Sequence, residues 1–402
     1  MRELTAVAGD RDAGRRVKFF VRGDMGVSYG QFAALKQQNG LLVNGAPVHA
    51  NHILARGDAV TVLLADGPGK AVAPEDGPVN VVWEDEDVLV LDKPAPLACQ
   101  RSPKQPEGTL ENRLAFRFRE DPGFVFRPLN RLDKGTSGLM AAAKNAHAAQ
   151  RLQKQLHTEA FLREYLAVVE GRMEGEGVVD APIAKEDAAT VRRVIDFERG
   201  KPAVTHYRIV ATGERHSLVR LRLETGRTHQ IRVHLAHLGH PVAGDFLYGH
   251  EDPRLPGRFA LHSAAIRFNH PVTGEVIEVD SPLPEALETL LEDDRVLGQL
   301  VTVTMDRPMG SAHPRHADMI YPVNYGYIAG VMAPDGEEQD AYVLGPGGPV
   351  GSFTGRVVAI IRRRDDVEDK WVVCPDGARP DAGQIMEQVR FQEKYFDSFI
   401  IM

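Results

Sequence analysis

Short β-branched runs set between turns, with few stretches of helical period, fill the middle of this chain and confine it to sheet-based folds. Residues 81–83, 88–91, 139–143, 165–169, 206–210 and 218–223 each read as a strand, whereas 146–157 and 284–291 read as helices. Many strands at short spacing with few helices predict an α+β fold built on a mixed, mainly antiparallel sheet.

Two seams divide the 402 residues. The Gly- and Pro-rich tract 65–78 lacks an apolar period and reads as a linker, and 292–298 reads as a second boundary. The expected domains are therefore 1–64, 79–291 and 300–402. In the first, a helix near 31–38 follows a short helix near 27–31; a strand then runs into the turn Asn44-Gly45, and a strand at 58–64 closes the unit. In the last, strand runs around the loop Gly345-Pro-Gly-Gly-Pro349 predict a small β-barrel closed by one helix near 385–396.

Composition excludes several classes. No apolar run approaches the roughly eighteen residues of a membrane span, and the first sixteen residues lack the apolar core of a secretion signal, so a cytoplasmic protein is expected. The two cysteines, Cys99 and Cys374, are too few for a disulfide framework or a structural zinc site. The net charge of -8 runs against phosphate binding, but from Val301 onward 10 basic residues face 15 acidic ones. Five of the eight surplus negatives therefore lie in that last stretch, which leaves room for a basic face elsewhere.

The chemistry concentrates in two segments. In Arg131-Leu-Asp-Lys-Gly-Thr-Ser-Gly-Leu139 an acid stands among cations that keep it ionised and glycines that let a ligand approach the backbone. On residue types alone this is equally a turn with a surface ion pair. In Gly226-Arg-Thr-His-Gln-Ile-Arg-Val-His234 two arginines and two histidines follow a strand, with forks that suit a phosphate or a carboxylate. His234, His237 and His240 recur at threes and could be read as metal ligands, but no nearby Cys or carboxylate completes a set.

Taken together with Tyr165-Leu-Ala-Val-Val-Glu-Gly171, these segments resemble the RluA family of pseudouridine synthases over 79–291. Glu84 to Pro94, Gly244-Asp-Phe-Leu-Tyr-Gly249 and Leu261-His-Ser263 follow the same family order, while Asn130 stands where the family often has His. The resemblance implies an isomerase of uridine in structured ribosomal or transfer RNA that needs no cofactor, and a monomer is expected because nothing in the sequence demands more. It implies Asp133 as catalytic carboxylate, Tyr165 against the target base, and Arg232 as the partner that keeps Asp133 ionised. Arg131, Arg227, His229, Gln230 and Leu261 are the implied substrate-binding residues. Residues 1–64 resemble an S4 RNA-binding domain, with Arg15, Arg16, Lys18, Arg22 and Lys36 as candidate phosphate contacts. The alternative there is the solvated face of a small packing domain.

Tyr321-Pro-Val-Asn-Tyr-Gly-Tyr327 and the acids after it resemble soluble inorganic pyrophosphatases. That resemblance implies Mg2+ held by Asp335, Glu337, Asp340, Asp366 and Asp369, with Arg307 on phosphate. Two departures stand against hydrolysis: the segment is short, and no lysine lies between Lys201 and Lys370 to meet phosphate. Two other descriptions of the whole chain stay open: an Mg2+-dependent pyrophosphatase with an inert front end, and a non-catalytic RNA-binding protein.

Overall fold

A computed structural model describes residues 2–66, 71–121, 123–156, 158–187, 189–213, 215–314 and 316–402, with the side chain of Ala317 excepted. Two compact units emerge, Met1–Thr212 with Ser217–Pro284, and Gly213–His216 with Glu285–Met402.

The first unit begins with a four-stranded sheet among the described residues, in the order Arg2–Val7, Ala59–Leu64, Leu41–Val43, Ala46–Pro47. The helices Val17–Gly23 and Tyr29–Gln37 cover it, burying Phe20, Val21, Phe32 and Leu35 against Val60 and Val62. Two expectations change here. The first helix ends at Gly23 rather than lying at 27–31, because the left-handed Gly26 turns the chain there and Ser28 caps the next helix through Gln31. The strand Arg2–Val7 was not foreseen. It pairs antiparallel with Ala59–Leu64, and Arg2 forks onto buried Asp87 at 2.9 and 2.8 Å.

Part of the expected linker, 67–70, lies outside the described residues. Its remainder has no regular structure yet is pinned. Asn112 donates to the Ala73 carbonyl, Glu75 accepts from the Gly108 N–H, and Asp66 pairs with Arg127 at 2.9 Å.

A ten-stranded sheet, counted among the described residues, follows. Its main path is Glu176–Asp180, Val204–Thr212, His216–Leu223, Leu162–Glu170, Leu261–Asn269, Ser137–Ala143, Val88–Lys93 and Asn80–Glu84. Ser137–Ala143 is buried along its whole length, as is most of Val88–Lys93, which is why both read as nearly unbroken apolar runs. One parallel pairing, His262 with Ser137 and Ser263 with Gly138, sits among antiparallel neighbours, so the sheet is mixed and mainly antiparallel as expected. Gly138 is essential to that pairing. Its φ is +103°, and a Cβ there would lie 2.3 Å from the Ser263 carbonyl oxygen.

In the second unit Leu300–Arg307, Asn324–Met332, Glu338–Val343, Lys370–Cys374 and Ser352–Arg363 pair in a closed ring, with Ser398–Ile401 added outside. The helix Ala382–Glu393 packs Ile385 and Val389 into one core of this barrel.

Candidate active site

The parallel strand pair fixes where the 130–136 loop leaves the sheet. Buried Asn130 ties that loop to the strand by accepting from the Ala141 N–H at 3.0 Å, a bond that its amide oxygen supplies. From below, the fully buried Lys93 donates to the carbonyls of Pro94 and Leu97, and the Leu97 N–H donates to the Lys134 carbonyl at 2.9 Å. Burial pushes this lysine down to about 8, with the charges of Cys99 and Asp133 opposing. Gly135 lies against the Phe259 ring, which a Cβ would meet at 2.7 Å.

Asp133 thereby sits in a cleft of about 1270 Å³ that Tyr165, Arg131, Arg227, His229, Gln230, Arg232 and Leu261 also line. All eight catalytic and substrate-binding residues named from the sequence thus reach one cleft, though they come from four separate parts of the chain.

Within it, the helix Gln230–His237 delivers Arg232 to Asp133, Nη1 to Oδ2 at 3.0 Å. The rest of that guanidinium is bidentate on the fully buried Asp245, at 2.5 Å from Nε and 2.7 Å from Nη2. It lies 4.1 Å from the Phe259 ring centroid and 5.0 Å from that of Tyr248. One arginine therefore fixes the orientation of the Asp133 carboxylate while a second carboxylate fixes the arginine. His229, in the left-handed region at φ +58°, stands at the head of that helix. Its Nδ1 meets the Tyr248 hydroxyl at 2.9 Å, and its Nε2 is 3.8 Å from Asp133. Burial lowers the His229 pKa against the pull of Asp133. Tyr165 is 5 % exposed, and burial raises its phenol, opposed by the charge of Arg163, so it is a neutral phenol at neutral pH.

Gln230, expected at the substrate, instead spends its amide on the protein. It accepts from Thr225 Oγ1 and the Arg227 N–H and donates to Val204 O and Thr205 Oγ1, which shapes the 225–230 turn. Of the three spaced histidines two are structural, and His237 is exposed. His234 bonds through both ring nitrogens, to Thr205 and to Ala181 O, and His240, beyond the helix end, meets Glu170 O. Sequence reasoning missed Asp245, Tyr248, Phe259 and Lys93 as parts of the site. The first two stand inside the Gly244–Gly249 motif, so the signal was present for them.

In the second unit Asp335, Glu337, Asp340 and Asp369 line a cavity of about 280 Å³ with Glu338, Glu368 and Lys370. Asp366 is not among its lining residues and pairs with Arg363 at 2.9 Å. Arg307 lies over the rings of Tyr321 and Tyr325. The oxygen donors suit a hard cation, but cations of the chain already neutralise two of them. Asp340 takes Lys370 Nζ at 2.5 Å as well as the Tyr325 hydroxyl, and Asp369 is forked by Arg362.

The cleft of the first unit sets an arginine-held carboxylate, Asp133, among basic side chains, as a candidate active site for an enzyme acting on an anionic substrate. Residues 87–237 match the family model of RNA pseudouridylate synthase. The chain is 39% identical over 267 residues to "Ribosomal large subunit pseudouridine synthase D" of Xanthomonas campestris pv. campestris, which covers 62% of this chain and 80% of that one. It is 36% identical over 307 residues to "Uncharacterized RNA pseudouridine synthase YlyB" of Bacillus subtilis, 74% of this chain and all of that one. Among solved structures, human RNA pseudouridylate synthase domain containing 1 is 28% identical with a TM-score of 0.43, over 55% of this chain and 97% of that chain. The chain belongs to the RNA pseudouridylate synthase family and is an RNA pseudouridine synthase, an isomerase. Among the described residues no helix is long and apolar enough to cross a membrane.

Proposed function

We propose that the chain, as a monomer and without a cofactor for this reaction, isomerises uridines of structured ribosomal RNA, with the large-subunit RNA named in its relatives as the substrate class. Asp133 is the catalytic carboxylate, and its hold by Arg232 at 3.0 Å inside the cleft is the observation that carries this reading. The reaction breaks the bond from C1′ to N1, turns the uracil and rejoins it through C5, whose proton must then leave. An ionised, oriented carboxylate serves as nucleophile at C1′ or as proton acceptor at the sugar, and both need the anion that Arg232 favours. Tyr165 packs on the base as a neutral phenol and relays protons through its hydroxyl rather than as phenolate. The base enters only when flipped from its stack, at roughly a few kcal/mol, which the cations at the cleft rim help to offset.

Residues 1–64 act in this reading as an S4-like RNA-binding domain. Lys18 and Arg22 stand beside the exposed rings of Phe19 and Tyr29, a pairing of cation and aromatic that suits unpaired RNA. Arg15 is engaged with Asp12 and Asp24 and contributes less. The test is pseudouridine mapping across total RNA from cells that have the protein, lack it, carry Asp133→Asn, or carry Lys18→Glu with Arg22→Glu. The expectation is a site lost with the deletion and with Asp133→Asn, and reduced in the double variant. A site that persists under Asp133→Asn would sink the role given to this carboxylate.

A further inference from the structure

Two buried guanidiniums line the synthase cleft, and they differ in their counter-charges. Arg232 has two carboxylates, Asp133 and Asp245. Arg163, 7 % exposed, has neither an ion pair nor a hydrogen bond among the described residues, and its Nε is buried without a partner. It sits on the strand Leu162–Glu170, two residues before Tyr165 and so on the same face of the sheet, and both side chains line the cleft. Its neighbour Glu164 serves the opposite face, where it pairs with Arg220 at 2.8 Å. Arg163 is held in place without being neutralised: its guanidinium is 5.9 Å from the Phe161 ring centroid, and a Cβ at Gly226 would lie 3.2 Å from its Nη1. A buried cation with no counter-charge is costly to keep, and a protein tolerates it where a ligand supplies the missing anion.

We propose that Arg163 is a phosphate-binding residue of this cleft, receiving a backbone phosphodiester next to the extruded uridine; this rests on the reading of Asp133 as the reacting group. The planar fork of arginine matches two phosphate oxygens, and phosphodiesters are the anions that an RNA strand brings to such a cleft. With Arg163 on the phosphate and Arg232 on Asp133, the nucleotide is gripped at its backbone while the carboxylate faces its sugar. Gly226 leaves room for the guanidinium and for the strand passing it.

Full-length Arg163→Met and Arg163→Lys variants test this on an RNA transcript that the wild-type protein modifies. Three quantities are read: kcat/KM for pseudouridine formation, the dependence of RNA affinity on KCl concentration, and the thermal unfolding midpoint. Arg163→Met is expected to lose about 10- to 100-fold in kcat/KM and to flatten the slope of log affinity against log salt by roughly 0.7 to 0.9, one phosphate contact. Its unfolding midpoint should stay level or rise, because an uncompensated buried charge has gone. Arg163→Lys should recover the salt slope but only part of the rate. An unchanged slope in Arg163→Met overturns the proposal, as does a rate loss matched by a fall in the unfolding midpoint, which marks a structural arginine. The reading of Asp133 fails separately, if Asp133→Asn retains wild-type turnover, and the salt slope still reports on the phosphate contact in that case.

Discussion

Arg232 answers to two acids, and its substitutions should separate folding from catalysis. Truncation by Arg232→Met leaves fully buried Asp245 without a counter-charge, a loss of about 3–5 kcal/mol that denaturant unfolding would register. Arg232→Lys keeps the charge but cannot reach Asp133 while gripping both oxygens of Asp245. It should fold and retain RNA affinity while single-turnover pseudouridine formation falls about 100-fold, a typical cost for a misoriented reacting group. A Lys variant with the wild-type rate would remove orientation of Asp133 from the duties of this arginine. Asp133 and Arg232 were picked out because each stands in a polar run that matches a motif of the family; the polar density alone fits a surface ion pair equally well. Asp245 was harder to see: 13 residues separate it from Arg232, and only the fold brings the two side chains together.

The helix Ala146–Gln153 shows what an element can hide. Its His147 is 2 % exposed with a buried Nδ1 that lacks a partner, and burial pushes its pKa down to about 4. The folded state therefore keeps this ring neutral between pH 6.5 and 4, while the unfolded chain takes up the proton. Stability from this group is present in full above pH 6.5 and drains away as pH falls through that window, by on the order of 2–3 kcal/mol. A His147→Gln variant should lose the steepest part of the decline when unfolding free energy is followed from pH 7 to pH 4. Identical profiles for the two proteins would place the acid sensitivity elsewhere. An element with a continuous apolar run, such as Val88–Lys93, could be read directly from its residues, whereas the Ser28 cap of Tyr29–Gln37 went unread and the first turn of that helix was assigned to another. The strand Leu261–Asn269 could not, because it mixes His262, Ser263 and Arg267 into an apolar series. Its inner polar groups are matched only in the folded sheet, where His262 meets Ser137 and Ser281. Arg2–Val7 was equally opaque, since a single edge strand declares itself only through its partner.

At the scale of the whole molecule, the second unit is the part whose purpose the isomerase does not require. Its barrel was legible from strand runs and a Gly-Pro loop, and four of the five acids expected to share Mg2+ do line one cavity. What the sequence could not reveal is how those acids are already balanced. Lys370, 2 % exposed, brings its ammonium to both Asp340 and Glu368, and Arg362 forks Asp369. A cation bridging Asp340 and Asp369 would have to compete with charges tethered to the fold. Burial also raises the Asp369 carboxyl, against the pull of Arg362, which further weakens it as a ligand for a hard ion. We therefore expect this unit to serve as a binding or scaffolding domain rather than a hydrolase. Full-length protein incubated with Mg2+ and pyrophosphate should release phosphate no faster than a chain bearing Asp340→Asn, and pseudouridine formation should be unaffected by EDTA. Mg2+-dependent turnover that Asp340→Asn abolishes would make the chain bifunctional, and would require Lys370 to leave its two carboxylates when the metal binds.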